Sequence, residues 1–147
     1  MRLTSYTDYS LRTLMYLATV DREKLTSIKE ISNAYSISYN HLTKVGHELS
    51  KLHLIESVKG RNGGIRLSAE PKDINIGWVV RQTEDNFHMV ECFSSENTCL
   101  LAGGCELQSA LREALNAYLA VLDQYTLEDV TANNARLFSL FQTALQT

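Results

Sequence analysis

Sharp backbone turns are rationed in this chain: one proline and seven glycines serve 147 residues. Three of those glycines stand together in Gly60-Arg61-Asn62-Gly63-Gly64, between the alternating run Ile55-Glu56-Ser57-Val58-Lys59 and the short run Ile65-Arg66-Leu67. Two extended segments around a glycine-rich turn predict a β-hairpin, here with a basic tip.

Three helical stretches precede that hairpin. Between Thr7 and Val20, Leu11, Leu14, Met15, Leu17 and Ala18 recur at helical spacing, and Asp8 and Arg12 fall four apart on one face. Ser27 and Glu30 carry the Ser-x-x-Glu capping-box signature ahead of Ile31 and Ala34, which opens a second, short helix. After the break Tyr35-Ser36-Ile37, Ser38 is placed to cap a third helix reaching about Leu52. That helix turns Leu42, Val45, Leu49 and Leu52 inward and displays Tyr39, Asn40, His41, Lys44 and Lys51.

Two short helices, a tight break and a hairpin are the order of a winged helix-turn-helix. In such a module the second helix of the pair lies in the major groove, where Ser38, Tyr39, Asn40 and His41 meet base edges and Lys44 meets phosphate. Arg61 and Asn62 at the hairpin tip reach the DNA backbone or minor groove, and Gly63 and Gly64 permit close approach. A polar helix face alone is ordinary for any protein in water; the ordered set of helices, reading face and basic wing is not.

The net charge of −3 argues at first against so anionic a partner. Divided at Arg66, however, the chain carries 10 basic and 6 acidic residues before the cut and 4 basic and 11 acidic after it, so +4 is followed by −7. The asymmetry points to a basic reading head joined to an acidic second half. No apolar run approaches the roughly 18 residues of a membrane span, and Met1-Arg2-Leu3-Thr4 does not open a signal peptide, so a cytoplasmic location is expected.

Beyond the hairpin, Pro71 and Asp73 mark a turn before a short helix from Ile76 to Thr83 that contains Trp78. Residues Glu84 to Gly104 show no periodicity. The strongest helical signal then runs from Cys105 to Tyr125, with Leu107, Leu111, Leu115, Tyr118, Leu122 and Tyr125 at threes and fours and Ala110, Ala114 and Val121 widening the stripe. Thr126 with Asp129 suggests another cap, and Leu137, Phe138, Leu140, Phe141 and Leu145 form a last amphipathic stretch. The expected architecture is mainly α with a small β-hairpin: residues 1–75 a winged helix-turn-helix, 76–104 a linker helix and a loop, 105–147 a long helix and a C-terminal helix.

The aperiodic segment ends in chemistry. Cys92, Cys99 and Cys105 cluster with the spacing Cys-x6-Cys-x5-Cys, and an odd count without Cys-x2-Cys knuckles fits neither a disulfide framework nor structural zinc well. Three thiolates on a loop suit an iron-sulfur cluster with a borrowed fourth ligand, and Gly103-Gly104 lets the backbone fold round it. A thiol-disulfide switch, zinc and three unrelated buried cysteines are the other readings. Fourth-ligand candidates are His88, Glu91, Glu96, Glu106, Asp8 and the remaining histidines His41, His47 and His53, among which spacing does not choose. No Ser/His/Asp set, phosphate loop or carboxylate pair suggests an enzyme.

The opening Met1-to-Arg12 segment, the Ser38-to-Lys44 helix start, the Val58-to-Leu67 wing and the cysteine triplet together resemble the Rrf2 family of bacterial transcriptional regulators, most closely its nitric-oxide-sensing repressors. The similarity covers nearly the whole chain. It implies a homodimer paired through the long helix, operator DNA as partner, nitric oxide as signal, and a cluster, 4Fe-4S rather than 2Fe-2S, held by Cys92, Cys99 and Cys105. In that branch an aspartate near the N-terminus of the other subunit completes the site; Asp8 matches it, with Arg12 as its support, while a plain Asp8–Arg12 ion pair is the simpler alternative. The family's iron-regulating branch instead uses a histidine three residues after the last cysteine, where this chain has Gln108. Within the same family a sensor of iron-sulfur status or thiol redox state is the second reading. A small iron-sulfur redox protein is the rival from another class, and Arg61→Ala or Lys44→Ala would leave its activity intact.

Overall fold

The computed structural model covers residues 1–147. Helix α1 (Ser5–Thr19) starts two residues earlier than the apolar spacing suggested, because Thr4 acts as its cap: the Thr4 hydroxyl accepts a hydrogen bond from the Thr7 amide. Thr4 in turn donates from both its amide and its hydroxyl to Glu84 Oε1, at 2.7 and 2.9 Å, which moors the start of α1 to the end of a later helix.

Helix α2 (Ile28–Tyr35) has only half of the expected capping box. Ser27 accepts from the Glu30 amide, but the Glu30 carboxylate accepts instead from the Tyr16 hydroxyl at 2.7 Å. A fully buried tyrosine must place its hydroxyl somewhere, and this tertiary demand overrides the local one. Ser36, at φ 54°, makes the left-handed turn into α3 (Tyr39–Lys51). Ser38 sits at that helix's cap position without a side-chain cap bond.

The hairpin pairs β1 (Ile55–Val58) with β2 (Gly64–Leu67), antiparallel, with Ile55 opposite Leu67 and Val58 opposite Gly64. Alternation belongs to β2, which buries Ile65 and Leu67; in β1 only Ile55 is buried, because Ser57 and Val58 run out with the wing into solvent. A bridge from Thr26 to Ile65 sews the entry to α2 onto the hairpin.

Helix α4 (Ile76–Thr83) follows a 3-10 turn at Pro71–Asp73, as expected. Residues 84 to 105 hold no regular element beyond one 3-10 turn, Glu91–Phe93. Helix α5 (Glu106–Leu122) is shorter than the apolar spacing suggested at its C-terminal end. The reason is competition: the Asn75 side chain takes the Asp123 carbonyl at 2.7 Å, and the Ile76 amide takes the Tyr125 carbonyl at 2.9 Å, drawing the chain off the helix path. Helix α6 (Leu127–Val130) opens with the full Thr126–Asp129 capping box, and α7 (Asn134–Gln146) ends the chain. No helix is long and apolar enough to cross a membrane.

The main core joins α1, α2, α3 and the hairpin around Leu14, Tyr16, Leu17, Ile31, Leu42, Leu49 and Ile65, and it does not stop at residue 75. Ile76 and Val79 from α4, Leu127 from α6 and Phe141 from α7 belong to it. Phe141 meets Tyr16 at 4.7 Å and Tyr35 at 5.3 Å between ring centroids. Helix α5 stands apart, burying only Leu115 and Leu119, against Val80.

Candidate nucleic-acid interface and metal centre

The reading face is an outcome of how α3 is amphipathic. Leu42, Val45 and Leu49 bury one side, so Ser38, Tyr39, Asn40, His41 and Lys44 are all left exposed on the other. Arg61 and Asn62 are exposed at the wing tip. Gly63 and Gly64 are half-buried, and their missing side chains serve the fold itself: a Cβ on Gly64 would stand 2.7 Å from the Thr26 carbonyl oxygen, and one on Gly63 would strike the Val58 carbonyl. Room at these glycines is therefore spent on closing the hairpin.

Ion pairing sharpens the charge argument. Arg12, Arg22, Lys24, Lys51 and Arg66 each have a carboxylate partner within 4 Å, in Asp8, Glu70, Glu30, Glu48 and Glu56 respectively. Lys29 on α2, Lys44 on α3, and Lys59 and Arg61 on the wing have none. Four of the chain's eight unpaired Lys and Arg side chains thus sit on the elements that a winged helix-turn-helix lays against phosphate; the other four, Arg2, Lys72, Arg112 and Arg136, lie elsewhere. Lys29 and Lys59 are not singled out by the sequence reading; Lys59 adjoins Arg61 on the wing and Lys29 lies on the first helix of the pair, and their lack of a carboxylate partner is visible only in the structure.

Helix α1 touches this face twice. Tyr9 stacks on His41, ring centroids 6.1 Å apart and 29° between planes. One turn on, the Arg12 carbonyl accepts from the Tyr35 hydroxyl at 2.9 Å, and the Arg12 guanidinium lies 5.9 Å from the Tyr35 ring centroid. Burial raises the Tyr35 and Tyr16 hydroxyls well above the ordinary tyrosine range, so both remain donors across all working pH. Asp8 is joined to Arg12 by two contacts, at 2.9 and 3.0 Å, so within one chain it makes the helix ion pair.

The three cysteines lie in the segment that packing leaves least ordered. Each is free and half-buried. Cys92 sits in the 3-10 turn, and that turn is held to α5 from two successive turns of one helix face: Gln108 Nε2 donates to the Cys92 carbonyl at 2.9 Å, and the Arg112 guanidinium lies 4.7 Å from the Phe93 ring centroid. The Cys99 amide donates to Asn97 Oδ1 at 2.8 Å. Glu91 ties the loop to itself by accepting from the Thr98 amide and hydroxyl, bonds that hold its carboxyl below the usual glutamate range.

Cys105 is the N-cap residue of α5 and makes no side-chain cap bond, so the first-turn amides of a 17-residue helix face it without another side-chain acceptor. A Cβ on Gly103 or Gly104 would meet nothing within 4 Å. No three of the His, Cys, Asp and Glu side chains gather closely enough to hold a bare ion. Three thiols, two on the loop and one at the α5 cap, are donors of the soft kind that an iron-sulfur group takes. His88, Glu96 and Glu106 are exposed around the loop without being drawn together with the cysteines.

Comparison with known proteins agrees with this layout. A family model described as Rrf2, iron-dependent transcriptional regulator, matches residues 3–133. The HTH-type transcriptional regulator NsrR of Shouchella clausii is 61% identical over 143 residues, covering 97% of this chain and 96% of that protein. The NsrR of Bacillus subtilis is 52% identical over 143 residues, covering 97% and 98%. Among solved structures, CymR, the global cysteine regulator of B. subtilis, superposes with a TM-score of 0.68 at 28% identity over 90% of this chain and 98% of that one. IscR of T. potens does so with a TM-score of 0.72 at 24% identity, over 90% and 88%. With two short helices, a wing carrying its unpaired cations, and relatives matched along almost their whole length, this chain belongs to the Rrf2 family and is a DNA-binding transcriptional regulator rather than an enzyme.

Proposed function

We propose that this regulator is an iron-sulfur-dependent repressor of the NsrR kind, which binds operator DNA as a homodimer and releases it in response to nitric oxide. The observation that carries the reading is the cysteine triplet, free and half-buried on and at the end of the one long segment whose sole regular element is a 3-10 turn, in a chain whose recognition helix and wing present Lys44, Lys59 and Arg61 without a carboxylate partner. Cys92, Cys99 and Cys105 would hold the cluster by three thiolates, and Asp8 of the second subunit would supply the fourth, oxygen ligand. The chemistry that the bound group would supply is iron able to react with nitric oxide.

The chain's own residues convert that state into DNA affinity. Asp8 lies on α1, whose Tyr9 and Arg12 touch both helices of the helix-turn-helix. Asp8 would have two alternative partners, the cluster of the neighbouring subunit and the Arg12 guanidinium that it holds in the single chain, and the choice between them would decide whether α1 is tied across the dimer. A dimer reads half-sites about one DNA turn, roughly 34 Å, apart, so a small rigid shift between the two α3 helices is enough to spoil simultaneous docking.

The α5 face suits the dimer contact. Leu107 is 65% and Val121 52% exposed, on a helix whose inward side needs only Leu115 and Leu119. The test is anaerobic purification with visible absorption spectra before and after nitric oxide, coupled to a gel shift on operator DNA. Loss of cluster absorption together with loss of the shifted band is the expected result. Equal binding by the loaded and metal-free forms would sink the reading.

A further inference from the structure

We propose that Tyr9 is a specificity-positioning residue of the DNA-reading helix: its ring holds the His41 imidazole in the orientation from which His41 meets a base edge. His41 lies exposed in the first turn of α3, the part of a recognition helix that faces bases. An imidazole on an exposed helix turns freely about its side-chain bonds. This one does not stand alone, because the half-buried Tyr9 ring lies nearly parallel to it at 6.1 Å, within the range of a true aromatic pair.

Tyr9 is itself well held. Its ring is half-buried and packed against the main core. The distinction matters for histidine in particular. A neutral imidazole presents a donor on one nitrogen and an acceptor on the other, so the orientation of the ring decides which of them a base pair meets. Tyr9 settles that orientation without approaching DNA as a phosphate ligand, so its contribution belongs to sequence choice and not to overall affinity.

One consequence rests on the proposed function. Asp8 is the residue before Tyr9, and the Asp8–Arg12–Tyr35 contacts hold the same stretch of α1 against the end of α2. Releasing Asp8 from a cluster would alter the seat of the Tyr9 ring and with it the reading attitude of His41.

The test uses the full chain, purified anaerobically with its iron, and two duplexes at one fixed ionic strength: a site selected by the wild type from a randomised pool, and its scrambled counterpart. Tyr9→Leu is expected to lower the specific-to-scrambled ratio about three- to tenfold while leaving scrambled binding and the salt slope unchanged. Tyr9→Phe, which keeps the ring, stays near wild type. In the His41→Ala background Tyr9→Leu adds nothing further. Equal losses on both duplexes, or a Tyr9→Leu effect that adds in full to His41→Ala, would mean that Tyr9 only packs α1 on α3 and would overturn the proposal. His41→Ala, a change on the exposed surface, gives a second check should Tyr9→Leu fold poorly: an unchanged ratio there also overturns it. Loaded and metal-free wild type are compared on the same duplexes. A ratio that is the same in both counts against cluster sensing, and the Tyr9 role is then judged on the variants alone.

Discussion

The reading head and the cysteine segment are built to different densities. The helix-turn-helix and wing share an 18-residue core with α4, α6 and α7, with Tyr16, Leu14, Ile31 and Leu49 wholly out of water, whereas α5 contributes two residues to a satellite of three. Together with α4, α6 and α7 the head has enough burial to define its shape. Under the proposed function, the cysteine segment and α5 would take further order from a group bound by the thiols and from a second subunit laid on α5. Such a division would suit a sensor, whose DNA-reading part is densely packed and whose signal-receiving part is buried least.

The largest expected effect breaks the soft half. Cys99→Ala removes one of three thiols and is expected to drop operator affinity toward the nonspecific level, a loss of about 10³-fold or more. Iron content and a gel shift at fixed salt check it; full operator affinity in iron-free Cys99→Ala protein would separate the loop from DNA binding altogether. The rigid half is next. Leu14→Ala, at 0% exposure in the main core, is expected to cost roughly 2–5 kcal/mol by urea unfolding. Leu100→Ala, at 97% exposure in the loop, is expected to cost less than about 0.5 kcal/mol. Similar values for the two would erase the contrast in density.

The same contrast explains what the sequence made legible. Helix α4 was readable end to end, and the Thr126–Asp129 capping box was readable as a pair, because both are written in residues a few positions apart. The reading face of α3 was readable for the same reason, as the back of an apolar stripe. What escaped was set by distant partners. Glu30 leaves its own cap for Tyr16, Phe141 arrives from the last helix to fill the space between Tyr16 and Tyr35, and Tyr9 finds His41. The spacing of α5 shows one apolar stripe, of which Leu107 and Val121 face water in the single chain. Periodicity reports that a face is apolar; it does not report whether its partner lies in the same chain.

That ambiguity has its own test. Leu107→Lys places a charge on the exposed stripe, and it is expected to shift the protein from dimer to monomer in sedimentation while leaving the unfolding of the head unchanged. A dimer that survives the change would move the interface elsewhere. A smaller effect belongs to the wing. Arg61→Ala removes one unpaired cation and is expected to lower binding to every duplex alike, with the slope of log affinity against log salt reduced by about 0.9. A change at one base position only would make Arg61 a reader and not a phosphate contact.

The smallest effect lies at the joint between the two halves. Arg81 on α4 grips the Asp123 carboxylate just beyond α5 with both of its terminal nitrogens, at 2.5 and 2.9 Å. The Arg81 hydrogen bonds hold the Asp123 carboxyl below its ordinary range. A carboxylate whose pKa is depressed by folding contributes stability that is complete above its unfolded value, about 3.9, and is lost as the pH falls through the lower folded value. Asp123→Asn, which keeps the shape and removes the charge, is therefore expected to lower the urea midpoint slightly at pH 7, with the gap to wild type closing progressively below about pH 4. Because both groups are largely solvated, the gap is small and shrinks in high salt. A gap that persists unchanged into acid would mean that the Asp123 charge is not its source, and that the joint rests on contacts that do not titrate, the Asn75 bonds to the Asp123 and Tyr125 carbonyls and the packing of Leu115 and Leu119 on Val80.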